Sequence, residues 1–147
     1  MKLIISANLL NQIENQATDH YPEETAGLLL GSIEGDHRRV VDLLPLENTF
    51  DQTQRSHRYL IEPMAMIQAE REAEERGLDI LGVFHSHPDH PAQPSEFDRK
   101  WAWPWFVYLI SSVSQKAAQD HRVWLLEEDR EKFQEIPLQL ERIQEVS

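Results

Sequence analysis

The chain has no cysteine among its 147 residues. Disulfides and thiolate ligands are thereby excluded, so any metal site must be built from histidine and carboxylates. The absence fits a reducing compartment, and the expected location is cytoplasmic. Long apolar runs are also lacking. None approaches the roughly 20 residues that cross a bilayer, so no membrane association is expected. The opening Met1-Lys2-Leu3-Ile4-Ile5-Ser6 has one positive charge and too short an apolar stretch for a secretory signal. Basic residues are scarce, with 14 Lys and Arg against 26 Asp and Glu and a net charge of -12. Such a surface repels phosphate backbones and the sequence shows no basic stripe to offset it, so no nucleic-acid partner is expected. A partner with a basic face, or a cationic metal, is accommodated more easily. No internal repeat, low-complexity tract or linker interrupts the chain.

What remains is an ordinary globular composition, 40% hydrophobic and 27% charged, long enough for one domain over 1–147 with a buried core. Leu3-Ile4-Ile5 is a short strand, and Ser6 stands where a helix N-cap belongs. Leu9, Leu10, Ile13 and Ala17 recur at helical spacing and predict a helix over about 7–20, ended by Pro22. Ala26 to Gly31 is a continuous apolar run suited to a strand buried on both faces. Gly35-Asp36 is a turn, and Arg39 to Leu46 returns as its hairpin partner.

Residues 47–57 read as a polar loop and Tyr59-Leu60-Ile61 as a short strand. Pro63 suits the first turn of a second helix that runs to about Arg76 and stops at Gly77, with Met66, Ala69 and Ala73 on one face. The charged run Glu70 to Arg76 is its solvated side. Ile80 to Phe84 is another buried strand, and three prolines stiffen the loop 88–94. Ser95 opens a short helix. Phe106 to Ser112, Arg122 to Leu126 and Lys132 to Leu140 are each read as a strand. The sum is one α+β, or mixed α/β, domain.

The chemistry concentrates in Phe84-His85-Ser86-His87-Pro88 and Pro94-Ser95-Glu96-Phe97-Asp98. Two histidines two apart on a strand share a face, where both imidazoles can converge on one ion. A carboxylate from Asp98 completes three protein ligands and leaves a fourth tetrahedral position open, the pattern of a catalytic rather than a structural zinc site. A water bound there has its pKa lowered to about 7. The plainer reading is two surface histidines beside a proline-rich loop, with Ser95 and Asp98 forming a helix capping box. The readings are compatible, since a cap would fix the helix that presents Asp98.

With these residues the sequence resembles the JAMM (MPN+) metalloproteases. That family's pattern is a distant Glu, then His-Ser/Thr-His-Pro, seven residues after the second His, Ser, two residues and Asp. His85-Ser86-His87-Pro88, Ser95 and Asp98 match without a gap, and Glu24-Thr25-Ala26-Gly27-Leu28-Leu29-Leu30-Gly31 supplies the distant Glu as Glu24. Gly82 and the Tyr59 to Pro63 stretch also look family-like. The resemblance implies a central, mostly antiparallel curved sheet flanked by two or three helices, cytidine-deaminase-like, with one Zn²⁺ per chain held by His85, His87 and Asp98. It implies hydrolysis of a peptide or isopeptide bond, with Glu24 as general base and acid toward zinc-bound water and leaving amine, and Ser95 as oxyanion donor. Thr25-Ala26 stand where bacterial relatives often carry cysteine, and neither is a ligand. Long insertions that grip a second ubiquitin are lacking, so the resemblance is to small bacterial members acting at the C-terminal Gly-Gly of ubiquitin-like sulfur-carrier proteins.

Two other functions fit the same residues. One is a non-catalytic MPN-type binding or scaffold module; the other is a zinc hydrolase of small amides. Asp89 and His90 are read as loop surface. Trp101, Trp103 and Trp105 are read as core residues, with an apolar wall for a substrate tail as the alternative. His20, His37, His57 and His121 are assigned no role, and no heptad or apolar stripe declares an oligomer interface.

Overall fold

A computed structural model describes residues 1–55, 58–115 and 117–141. The chain begins with β1 (Lys2–Ser6) and α1 (Ala7–His20). Ser6 is in extended conformation and its hydroxyl accepts from Leu9 N–H, so the sequence's N-cap is realised. Next come the hairpin β2 (Ala26–Glu34) and β3 (His37–Leu46), a single 3-10 turn at Gln52–Gln54, and α2 (Pro63–Glu75). The strand β4 (Asp79–Pro88), α3 (Glu96–Trp101), β5 (Val107–Val113), β6 (Ala118–Leu126), β7 (Phe133–Ile136) and β8 (Leu138–Glu141) complete the order.

The strands form one eight-stranded sheet in the order β7-β6-β5-β4-β2-β3-β1-β8. The pairs β2/β3, β2/β4, β5/β6 and β6/β7 are antiparallel, while β1/β3, β1/β8 and β4/β5 are parallel. Both faces of the central strands are covered. Leu29, Phe84 and Leu109 pack with Ile13 of α1, and Leu28, Leu30 and Val83 pack with Ala69 and Ala73 of α2. This two-sided burial is why β2 and β4 read as unbroken apolar runs instead of alternating ones.

Two sequence expectations fail on register and neighbours. Lys132 to Leu140 is not one strand: Pro137, lacking an N–H, breaks the ladder, and β7 and β8 then join opposite edges of the sheet. With a single residue between them, those edges lie within about 7.5 Å of each other, so the sheet curls strongly. Tyr59 to Ile61 is not a strand either. Leu60 N–H donates to Asn48 Oδ1 at 3.0 Å and its carbonyl accepts from Thr49 N–H at 3.1 Å, so a loop side chain takes the place of a ladder neighbour. His57 lies outside the described residues.

Candidate metal centre

Four polar side chains are buried together where β4 ends. Glu24 is 3% exposed, His85 1%, His87 7% and Asp98 6%. Three separate parts of the fold deliver them. The two histidines point to one face of β4, as a period of two requires. Glu24 precedes β2, whose Ala26 is paired with His85. Ser86, between the histidines, accepts from Thr25 N–H at 2.8 Å and donates its own N–H to Thr25 O at 3.0 Å. Glu24 N–H donates to Arg55 O, and Glu24 O accepts from Asn48 Nδ2. The backbone of the carboxylate is thus fixed from both sides.

Asp98 comes from α3 through a complete capping box. Asp98 N–H donates to Ser95 Oγ at 3.0 Å, and Ser95 N–H donates to Asp98 Oδ2 at 2.8 Å. Capping and site-building are one arrangement here. Ser95→Ala is expected to lower stability by about 1 kcal/mol, read as a lower urea midpoint with an unchanged slope.

The distances define a cage. Asp98 Oδ2 is 3.0 Å from His87 Nε2, and Asp98 Oδ1 is 3.8 Å from His85 Nε2. On the other side of the same imidazole, Glu24 Oε1 is 3.5 Å from His85 Nδ1. Donor atoms of Glu24, His85 and His87 all fall within 4.8 Å of one another. His87 Nδ1 lies 2.9 Å from Pro91 O, a contact that calls for a proton on Nδ1 and turns Nε2 inward toward Asp98. Burial opposes charge on His87, yet the Asp98 carboxylate outweighs it and raises the pKa. Burial likewise pushes Asp98 up, but His85 and then the hydrogen bond from His87 overcome it and hold Asp98 at about 2.

Among the described residues, Glu24 Oε1, His85 Nδ1 and His85 Nε2 are buried without a hydrogen-bond partner. Leaving such a group unsatisfied costs about 1–3 kcal/mol each. A divalent cation held by one His85 nitrogen, by His87 and by a carboxylate would satisfy that nitrogen, leaving the other as an N–H for the carboxylate beside it, and the all-N/O donor set suits zinc. The residues fit the ion.

Two hollows flank the cage. One, of about 350 Å³, is lined by Glu24, His87, Ser95 and the prolines 88, 91 and 94. The other, of about 330 Å³, is walled by Phe50, Tyr59, Ile61, Phe97, Trp101 and Trp103 and reaches Asp98. The tryptophans are not core residues: Trp101, Trp103 and Trp105 are 63%, 45% and 74% exposed, and the first two form the apolar wall. Asp89 and His90 are exposed, as the sequence suggested. Tyr21 O–H donates to Asp89 Oδ2 at 2.5 Å, tying the proline loop to the end of α1.

Sequence reasoning missed three features. Tyr59 stacks on the His85 ring at 4.5 Å, holding it from the apolar side. Thr25 and Ser86 clamp β2 to β4. His121 bridges Ser111 Oγ and Glu14 Oε1 at 2.7 and 2.9 Å, linking α1 to the sheet face away from the cage. Only the Thr25–Ser86 clamp had a local signal, in the serine between the two histidines.

Comparison with known proteins finds relatives along most of the chain. The family model for prokaryotic homologs of the JAB domain matches residues 6–127. A probable TtuB-protein conjugate cleaving protease of Thermus thermophilus is 30% identical over 88% of this chain and 79% of its own length. A desampylase of Haloferax volcanii is 32% identical over 71% of this chain and 73% of its own. A solution structure of a protein from Desulfitobacterium hafniense superposes with a TM-score of 0.82 at 30% identity, covering 97% of this chain and 95% of that one. One from Salinibacter ruber gives 0.74 at 37% identity, covering 98% and 94%.

Proposed function

This chain belongs to the family of prokaryotic homologs of the JAB domain, and from that premise we propose that it is a zinc-dependent isopeptidase cutting at the C-terminal Gly-Gly of a ubiquitin-like sulfur-carrier protein. The observation that carries the proposal is the convergence of the buried Glu24, His85, His87 and Asp98, with Glu24 Oε1 and both His85 ring nitrogens lacking a hydrogen-bond partner. The relatives named for cleaving a TtuB-protein conjugate and for desampylation support the substrate class.

His85, His87 and Asp98 would hold the zinc, with Asp98 ionised at neutral pH and already set against both Nε2 atoms. A bound zinc supplies a Lewis acid for the scissile carbonyl and makes hydroxide available near neutral pH. Glu24 takes the proton of the attacking water on its unpartnered Oε1 and hands it to the departing amine. The Ser95 oxygen already accepts from Asp98 N–H, so its own O–H is left to donate to the developing oxyanion. Because Glu24 and Ser95 line the proline-walled hollow, the leaving amine sits there. The acyl tail then lies in the apolar hollow, where Tyr59 and Trp101 exclude water.

The test is cleavage of a carrier ending in Gly-Gly with a lysine-linked peptide attached, compared with the corresponding free small amide, by protein carrying one zinc per chain. Faster turnover of the carrier-linked bond is expected. Preference for the free amide would sink the carrier assignment, and absence of stoichiometric zinc with no cleavage would favour a non-catalytic binding module.

A further inference from the structure

Beyond the apolar hollow, and sharing Phe97 and Trp101 with it, a third hollow is lined by Arg58, Arg99, Lys100 and Arg130 with one acid, Glu96. A basic surface of this kind is unexpected in a chain of net charge -12. Elsewhere Arg39, Arg55, Arg76, Arg122 and Lys132 each pair with carboxylates, Lys2 and Arg38 donate to Gln139 and to the carbonyls of Leu81 and Trp105, and Arg71 is exposed on α2 with no ion pair among the described residues. Within the hollow, Arg99 is paired with Glu96, and Arg130 is spent on the carbonyls of Arg99, Lys100 and Ala102 at the end of α3.

Arg58 and Lys100 are different. Among the described residues, neither has a carboxylate within ion-pair distance. Each sits on the aromatic wall instead, the Arg58 guanidinium 4.9 Å from the Phe97 ring centre and Lys100 Nζ 5.8 Å from that of Trp101. Seated on aromatic rings, such cations keep their donors outward and lose little freedom when an anion arrives.

We infer that Arg58 and Lys100 recognise acidic side chains on the substrate's tail, a few residues before the scissile bond. This rests on the isopeptidase reading, which lays the acyl tail along the apolar hollow toward these two cations. A tail leaving the cage past Asp98 runs between Tyr59 and Phe97 and emerges where Arg58 and Lys100 stand. An acidic residue there meets two unneutralised cations. A basic residue meets like charge, which rejects the wrong carrier as well as selecting the right one. The net charge of -12 disfavours acidic partners over the surface as a whole, so this contact also biases the docking orientation.

The experiment uses three isopeptide-linked peptides ending in Gly-Gly, identical except for Asp, Asn or Lys at the positions upstream. KM and kcat are measured with zinc-loaded protein, and binding is followed separately through the tryptophan fluorescence of the Trp101–Trp103 wall. The Asp peptide is expected to show a KM about tenfold below that of the Lys peptide, with the difference in KM and not in kcat. R58E combined with K100E should invert the order, an outcome that misfolding cannot produce. R71E, an exposed charge reversal on α2 outside the hollow, should leave the order unchanged. Equal binding of all three peptides, or an unchanged order in the double variant, overturns the inference. Asp-dependent binding without cleavage of any peptide supports the charge recognition and counts against the isopeptidase reading instead.

Discussion

Glu24→Gln is expected to lower kcat on a carrier conjugate by about 10²–10⁴-fold while one zinc per chain is retained. The substitution keeps the size and planarity of the side chain and replaces the proton-accepting oxygen with an amide. Glu24 is held by its backbone, through Arg55 O and Asn48, so the new side chain should occupy the same place. Metal content separates its role from that of the ligands. His87→Ala and Asp98→Asn should both lose stoichiometric zinc, because each removes a donor from the Asp98–His87 contact at 3.0 Å. Cleavage by Glu24→Gln at the wild-type rate would rule out the base. Loss of zinc on that substitution would make Glu24 a ligand, a role open to it because its carboxylate lies with His85 and His87 inside one 4.8 Å cluster. Measuring kcat and zinc on the same preparations therefore distinguishes base from ligand.

The parts of this site that were legible in the sequence are those fixed by local geometry. His85 and His87 share a face because a strand has period two, and Ser95 caps the helix carrying Asp98 because cap and carboxylate are three residues apart. The helix over 7–20 was equally plain, since Ser6, the apolar spacing and Pro22 all agree. What was not legible depended on which distant segment lies alongside. Tyr59 takes its role from a loop that folds over β4, and no periodicity announces that. Pro137 breaks a strand because its two sides belong to opposite edges of a curled sheet, a fact of topology. The tryptophans were read inward on hydrophobicity, but much of any folded surface is apolar, and these wall a cleft. The unpaired state of Arg58 and Lys100 was likewise invisible, because composition counts charges without saying which of them neutralise each other.

Gly82→Ala is expected to abolish folding, or to destabilise the chain by more than about 4 kcal/mol, a large part of the 5–15 kcal/mol typical of a domain. A Cβ at Gly82 would lie 1.9 Å from Val107 O and 2.7 Å from Val107 N, and both obstacles are backbone. No rotamer change can relieve that contact. β4 and β5 would have to separate, yet they are paired from Gly82–Val107 through to Pro88–Val113 in the middle of the sheet. His85 is three residues further along the same strand, so any protein that did fold should also bind zinc more weakly. Gly77→Ala is the control. Its φ is +67°, a region that penalises a side chain by about 1–2 kcal/mol, but an added Cβ meets nothing within 4 Å. Urea unfolding of the two variants should then differ by several kcal/mol, with Gly82→Ala the worse. A Gly82→Ala midpoint at or above that of Gly77→Ala would mean that β4 and β5 can part at this point at little cost to the sheet.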